Sequence, residues 1–298
     1  MQEIQGWINL YKPKNISSFK AINRIKKKFN INKIGHAGTL DPGAQGILPI
    51  AIGKATKLIP YISSQIKSYN FTISWGRQTT TDDSEGDTMF VSNKLPELDE
   101  IQIMIKNFIG EQKQIPPKIS AVKIKGERAY KLARKNEEFT IYPKIVYVKS
   151  LKVISHNRTK TNFKIECGKG FYIRSFARDL AKDLKTFGHI SFLEREKVGK
   201  FISDSSILLD DLLKIGQRLN EINCVIPTVS MLDDILALEI LDPKDIKDLS
   251  FGRAIKVDLK YFESIDLDKK IIFLSNKGDI VSIGKLVGNL FKPSKILI

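Results

Sequence analysis

The sequence predicts an α+β protein arranged around a mixed, mostly antiparallel sheet. Two observations carry that expectation. Strand-like and helix-like segments are interleaved along the 298 residues without a regular strand–helix–strand rhythm. Two strand-like runs, residues 144–155 and 161–167, follow one another as a pair. The composition permits such a fold: 42% of residues are apolar and 28% charged, enough apolar surface to build a core.

The elements read as follows. Residues 6–10 form a short strand that stops at Lys12-Pro13. Ser17 and Ser18 can cap a helix whose Ile22, Ile25 and Phe29 recur at helical spacing. Residues 35–46 hold four glycines and Pro42, a loop signature, and the apolar run 47–52 is a buried strand. Residues 54–62 read as helix, 69–75 as strand, 79–87 as an acidic loop and 98–109 as an amphipathic helix. Residues 173–184 carry Phe176, Leu180 and Leu184 on one helical face. Beyond an acidic segment at 201–250, short apolar runs at 255–257, 271–274, 280–283 and 286–287 alternate with glycines at 252, 278, 284 and 288. These predict a small β-rich C-terminal unit, with a boundary near residue 230.

Several classes are excluded. The longest apolar stretch, residues 47–52, is far too short to span a bilayer. The amino terminus has no basic segment followed by an apolar one, so no export signal is expected. Cys167 and Cys224 lie too far apart for a zinc pattern, and none of the three histidines (His36, His156, His189) is paired at ligand spacing. A cytoplasmic protein is expected. A Walker loop is rejected, because six residues separate Gly46 from Gly53 and Ala55 follows Lys54. The net charge is +16. It is segregated: residues 1–81 are net +10 and 111–200 net +13, whereas 82–110 are net −5 and 201–250 net −6. Clustered cations of this kind suit a polyanion partner, although 39 of the 49 basic residues are Lys and a solvated basic surface gives the same total.

Two segments concentrate chemistry. The glycine-rich run 35–46 presents His36 and Asp41 just before a buried strand. Its carboxylate is either well placed for catalysis or a turn cap before Pro42. Residues 170–176 lead into a helix. Tyr172 and Arg174, two apart on an extended backbone, project to one side, where Arg174 can meet a remote carboxylate; a core Tyr and a surface Arg are the plainer reading.

The chain resembles the bacterial tRNA pseudouridine-55 synthase family of the TruB type, over nearly its whole length and in order. Gly6-Trp7-Ile8-Asn9-Leu10, Lys12-Pro13 and Ser17-Ser18 resemble its opening motif. Gly35-His36-Ala37-Gly38-Thr39-Leu40-Asp41-Pro42, continuing through Gly46, Leu48-Pro49 and Gly53–Lys57, resembles its catalytic motif. Lys67-Ser68-Tyr69, Gln114–Pro117, Ser120–Lys123, Gly126, Ala129-Tyr130, Gly170–Arg174, Asp179-Leu180, Leu193 and Arg195 match later motifs. Phe171, Ala181 and Glu194 depart from the residues usual there, and none of them is a reacting group.

The resemblance implies a pseudouridine synthase fold over residues 1–230, with an RNA-gripping insertion near 112–142 and a PUA-like RNA-binding domain at 231–298. It implies an isomerase that flips a T-loop uridine and re-attaches its base through carbon, with no cofactor and no metal. Asp41 would be the nucleophile or base, Arg174 would pair with it, and Tyr69 would stack on the uracil. Tyr172 and Leu193 would line the pocket, His36 would fill the space the base leaves, and Lys12 would contact the substrate. The implied partner is the tRNA T-arm, bound by a monomer with no obligatory protein partner and no membrane. Two other readings carry the same motifs: a catalytically silent tRNA-binding or folding protein, and a guide-RNA-dependent synthase subunit.

Overall fold

The first residues of the described chain enter a large sheet. The computed structural model describes residues 4–135, 137–216, 224–232, 236–258 and 271–298. The N-terminal residues 1–3, and parts of the acidic segment on both sides of residue 230, lie outside them.

Strands β1 (Gly6–Lys12), β2 (Ile34–His36), β3 (Gln45–Ile52), β4 (Lys67–Trp75), β5 (Arg77–Thr79), β6 (Thr88–Val91) and β7 (Gly110–Gln114) make up the first half. Then come β8 (Lys123–Ile124), β9 (Glu127–Arg128), β10 (Lys144–Asn157), β11 (Lys160–Cys167), β12 (Gly188–Val198), β13 (Phe201–Ile202) and β14 (Ile207–Leu208). The main sheet runs β14-β1-β3-β12-β4-β11-β10-β7, with β2 added to β3 and β13 to β12. Its pairs are antiparallel except β1–β14 and β3–β12, so the mixed, mostly antiparallel expectation holds.

Helices α1 (Ser18–Lys28), α2 (Ile59–Ser64), α3 (Leu98–Met104), α4 (Ala129–Arg134), α5 (Ile173–Asp183) and α6 (Leu209–Lys214) lie among these strands. Ser17 caps α1 by accepting from the Lys20 N–H, and Ser18, Ala21, Ile22 and Ile25 form its buried stripe. Lys26, Lys27 and Lys28 close it at the negative end of the helix dipole. In α5, Phe176, Ala177, Leu180 and Ala181 pack into the main core, where Phe176 meets Phe71, Phe108 and Phe163 edge-on. A compact residue at 181 suits this packed face. The segment expected as one helix over 98–109 ends α3 at Met104 and finishes as a 3-10 turn, Ile105–Phe108.

The C-terminal unit is a second sheet. Strands β15 (Ala237–Glu239), β16 (Ile255–Lys256), β17 (Ile272–Asn276), β18 (Asp279–Val287) and β19 (Leu290–Ile296) order as β15-β17-β18-β19-β16, with helix α7 (Pro243–Ser250) beside them. This β-rich arrangement is compatible with a PUA-like domain. Gly284, expected at a turn, instead lies inside β18: a Cβ there would stand 2.2 Å from the Lys292 carbonyl, so glycine admits close strand approach. The second sheet packs on the first through a shared core of Trp7, Leu58, Phe201, Phe273 and Ile283, and Tyr61 meets Phe273 edge-on.

Candidate active site

The loop between β2 and β3 carries Asp41, and nearly every carbonyl around it is tied down. Arg195 donates to the Gly38 and Thr39 oxygens at 2.9 and 3.5 Å. Ser18 Oγ donates to the Leu40 oxygen and accepts from the Leu40 N–H, both at 2.9 Å. Lys12 Nζ donates to the Ala44, Ile16 and Pro13 oxygens at 2.6, 2.8 and 2.9 Å. Asp41 itself accepts from the Ala44 N–H, closing a tight turn. A loop fixed at so many points holds its carboxylate without relying on secondary structure.

Asp41 Oδ2 lies 2.9 Å from Arg174 Nε. The guanidinium is 5% exposed and also donates to the Thr81 and Ile119 carbonyls at 3.0 Å each. A second carboxylate, Asp83, stands 3.7 Å from the same nitrogen. Tyr172 is the N-cap residue of α5, and its backbone exchanges two hydrogen bonds with the Gln114 side chain. Arg174 therefore sits in the first helical turn. The extended alternation expected for Tyr172 and Arg174 is replaced by the turn of α5, and Arg174 reaches Asp41 from a helix.

Asp41, Tyr69, Tyr172, Arg174 and Leu193 line one cavity of about 390 Å³. Tyr69 is buried on β4, directly opposite Arg195 of β12, and burial pushes its phenol up. Tyr172 is shifted the same way by burial. His36 and Lys12 do not line this cavity. His36 ends β2, its Nδ1 has no hydrogen-bond partner among the described residues, and burial pulls its imidazole below the ordinary range. Lys12, expected to contact the substrate, is fully buried with its ammonium donating to the Pro13, Ile16 and Ala44 carbonyls, which positions the loop. Burial also pulls its amine down to about 8.

Three residues matter more than their motifs announced. Arg195 is 1% exposed and braces Gly38 and Thr39 while donating to the Ile47 oxygen at 2.7 Å. Lys67 is buried in the cavity wall, donating to the Ser63 and Gln65 carbonyls at 2.8 Å each. Asp83 comes from the acidic segment, which the charge distribution had set apart from the site. Two of the departures find partners within the fold: Phe171 packs on Phe176, and Glu194 accepts from the Tyr11 hydroxyl on β1. Among the described residues no group of three or more His, Cys, Asp or Glu side chains is arranged to hold a metal. No helix among them is long and apolar enough to cross a membrane.

A mixed sheet whose loop aspartate is held by a helix arginine, beside a buried tyrosine, defines the class: a pseudouridine synthase fold. A crystal structure of a Cbf5-Nop10-Gar1 complex shares it, with a TM-score of 0.72 over 98% of this chain and 85% of that one, at 23% identity. The family model for TruB family pseudouridylate synthase (N terminal domain) matches residues 26–173. A tRNA pseudouridine synthase B from Ehrlichia ruminantium is 40% identical over 98% of both chains. One from Wolbachia pipientis is 52% identical over 71% of this chain, and the alignment spans 60% of that protein's length. The chain belongs to the TruB family of pseudouridylate synthases, and it is an isomerase.

Proposed function

We propose that this protein converts the uridine at position 55, in the T-loop of tRNA, to pseudouridine, alone and without a cofactor. The observation that carries the proposal is the Asp41 carboxylate, held 2.9 Å from Arg174 Nε on the wall of a cavity beside Tyr69. The relatives' shared name, tRNA pseudouridine synthase B, supports tRNA as the substrate. The basic blocks at 1–81 and 111–200 support a grip on T-arm phosphates that reads shape.

The reaction breaks the bond from N1 of uracil to C1′ of ribose and forms one from C5 to C1′. The C5 proton leaves and N1 gains one, so no electrons are gained or lost. Asp41 serves as nucleophile or base, and Arg174 orients it. A base stacked in the folded loop must first be flipped, at a cost of a few kcal/mol that pocket contacts offset. Tyr69 stacks on the uracil, a contact worth about 1–3 kcal/mol by analogy with single-strand binding. Tyr172 and Leu193 close the other side, and His36, outside the cavity, fills the place the base vacates. In this reading residues 1–230 form the catalytic domain, 112–142 an insertion that grips RNA, and 231–298 a second RNA-binding domain.

The test is C5 tritium release, or chemical labelling of pseudouridine, on a T-arm stem–loop with purified protein and no added protein, metal or cofactor. Turnover is expected, and Asp41→Asn is expected to abolish it. No turnover by folded protein across T-loop substrates would overturn the proposal, and a need for a guide RNA would transfer it to the guide-dependent class.

A further inference from the structure

The cavity holds more positive charge than isomerising a neutral base uses. Beyond the Asp41–Arg174 pair, Lys67, Lys169 and Arg195 also line it, and among the described residues Asp41 is its sole lining carboxylate. None of these three cations has a carboxylate at ion-pair distance among the described residues. Uracil carries no charge, so a flipped base leaves this potential unanswered. A volume of about 390 Å³ also exceeds what one pyrimidine ring fills.

The surplus charge gathers at the Lys67 end of the cavity, where the charges of Arg195 and Lys169 both act on the Lys67 amine. Lys67 is fixed in the wall by its two carbonyl partners. Its amine is pulled down to about 8, by burial first and then by the neighbouring charge of Arg195, with Lys169 contributing. Lys169 is exposed between Gly168 and Gly170, and no atom of the described residues lies within 4 Å of where a Gly170 Cβ would stand. The N-terminus of α5 follows Lys169 closely in the chain: Phe171, Tyr172 and Ile173 all line the cavity, and Tyr172 makes no side-chain capping bond. Exposed and buried cations together with a helix start that lacks a side-chain cap favour an anion.

We infer that this end of the cavity is a phosphate subsite, with Lys169 as its contact and Lys67 and Arg195 supplying the field behind it. Its ligand is a backbone phosphate next to the isomerised uridine. The inference rests on the reaction proposed above, and it adds that the pocket captures a nucleotide with its charge.

The test uses the full chain and a synthetic T-arm stem–loop. Methylphosphonate replaces the phosphate on the 5′ side or on the 3′ side of the target uridine, one at a time. Equilibrium binding is measured by fluorescence anisotropy for wild type, Lys169→Gln and Lys169→Arg. One replacement is expected to weaken wild-type binding about tenfold, the scale of one charge-assisted hydrogen bond. Lys169→Gln alone weakens binding of the unmodified RNA by a similar factor, and that replacement then adds less than about twofold. Lys169→Arg keeps the wild-type response. The subsite is overturned if neither replacement weakens wild-type binding, or if the two losses multiply in full. Pseudouridine formation on the unmodified stem–loop is scored separately, so failure of the parent reaction is distinguished from failure of the subsite.

Discussion

The two walls of the cavity each rest on a buried arginine, and they use it in opposite ways. Arg174, in the first turn of α5, answers its charge with two carboxylates, Asp41 at 2.9 Å and Asp83 at 3.7 Å. Arg195, on the central strand β12, meets no carboxylate among the described residues and spends donors on the Ile47, Gly38 and Thr39 carbonyls. A guanidinium paired with acids fixes the direction of a reacting group. One paired with carbonyl dipoles holds backbone, and its charge stays available to the cavity. The difference separates chemistry on the first wall from loop architecture and electrostatic field on the second.

The comparison can be broken at several points. The largest effect is expected for Asp41→Asn, whose rate should fall on the order of 10³-fold or more, read by C5 tritium release, with little change in unfolding free energy. Gly46→Ala tests the second wall hardest. Gly46 has φ +108°, and a Cβ there would stand 2.2 Å from the Arg195 carbonyl where β3 meets β12. A loss of about 3 kcal/mol or more in urea unfolding is expected. Arg174→Lys removes the planar fork, and about a 100-fold loss in rate is expected, larger than its stability change would account for. Arg195→Lys should do the reverse, costing about 2 kcal/mol of stability through unsatisfied carbonyls, with a smaller fall in rate. If both arginine variants lose rate and stability in the same proportion, the two walls are not distinct.

The smallest effect is on pH. The Lys67 amine is pulled from 10.5 down to about 8 on folding. Between those values the unfolded chain holds a proton that the folded chain does not, so stability rises with pH there. Below about 8 both states are protonated and the burial penalty is complete. Urea unfolding of wild type, relative to Lys67→Met, should therefore improve between pH 8 and 10.5. A flat difference would sink this assignment.

Much of this architecture was legible along the chain. Local rules sufficed where local interactions decide: Ser17 caps α1, the apolar stripe of α5 recurs at helical spacing, and residues 47–52 form a buried strand. The run 35–46 was expected as loop; its ends instead join β2 and β3, because His36 and Ile50 pair across the hairpin. The central strand β12 was not legible. Its segment Leu193-Glu194-Arg195-Glu196-Lys197 is charged like a solvated surface, yet it lies between β3 and β4. Partners from the β3 and β1 side, carbonyls for Arg195 and the Tyr11 hydroxyl for Glu194, make a charged strand stable in the middle of a sheet.

The amino-acid order thus carried the fold class, the family and the loop that bears Asp41, because periodicity, capping and motif spacing act over short stretches of chain. Folding in three dimensions settled which charges meet. It buried Lys12 under the loop, brought Asp83 from an acidic segment to Arg174, and left Lys67, Lys169 and Arg195 without an acid at ion-pair distance among the described residues. Such pairings join residues tens of positions apart, and their energies depend on distance and burial, which no local pattern encodes.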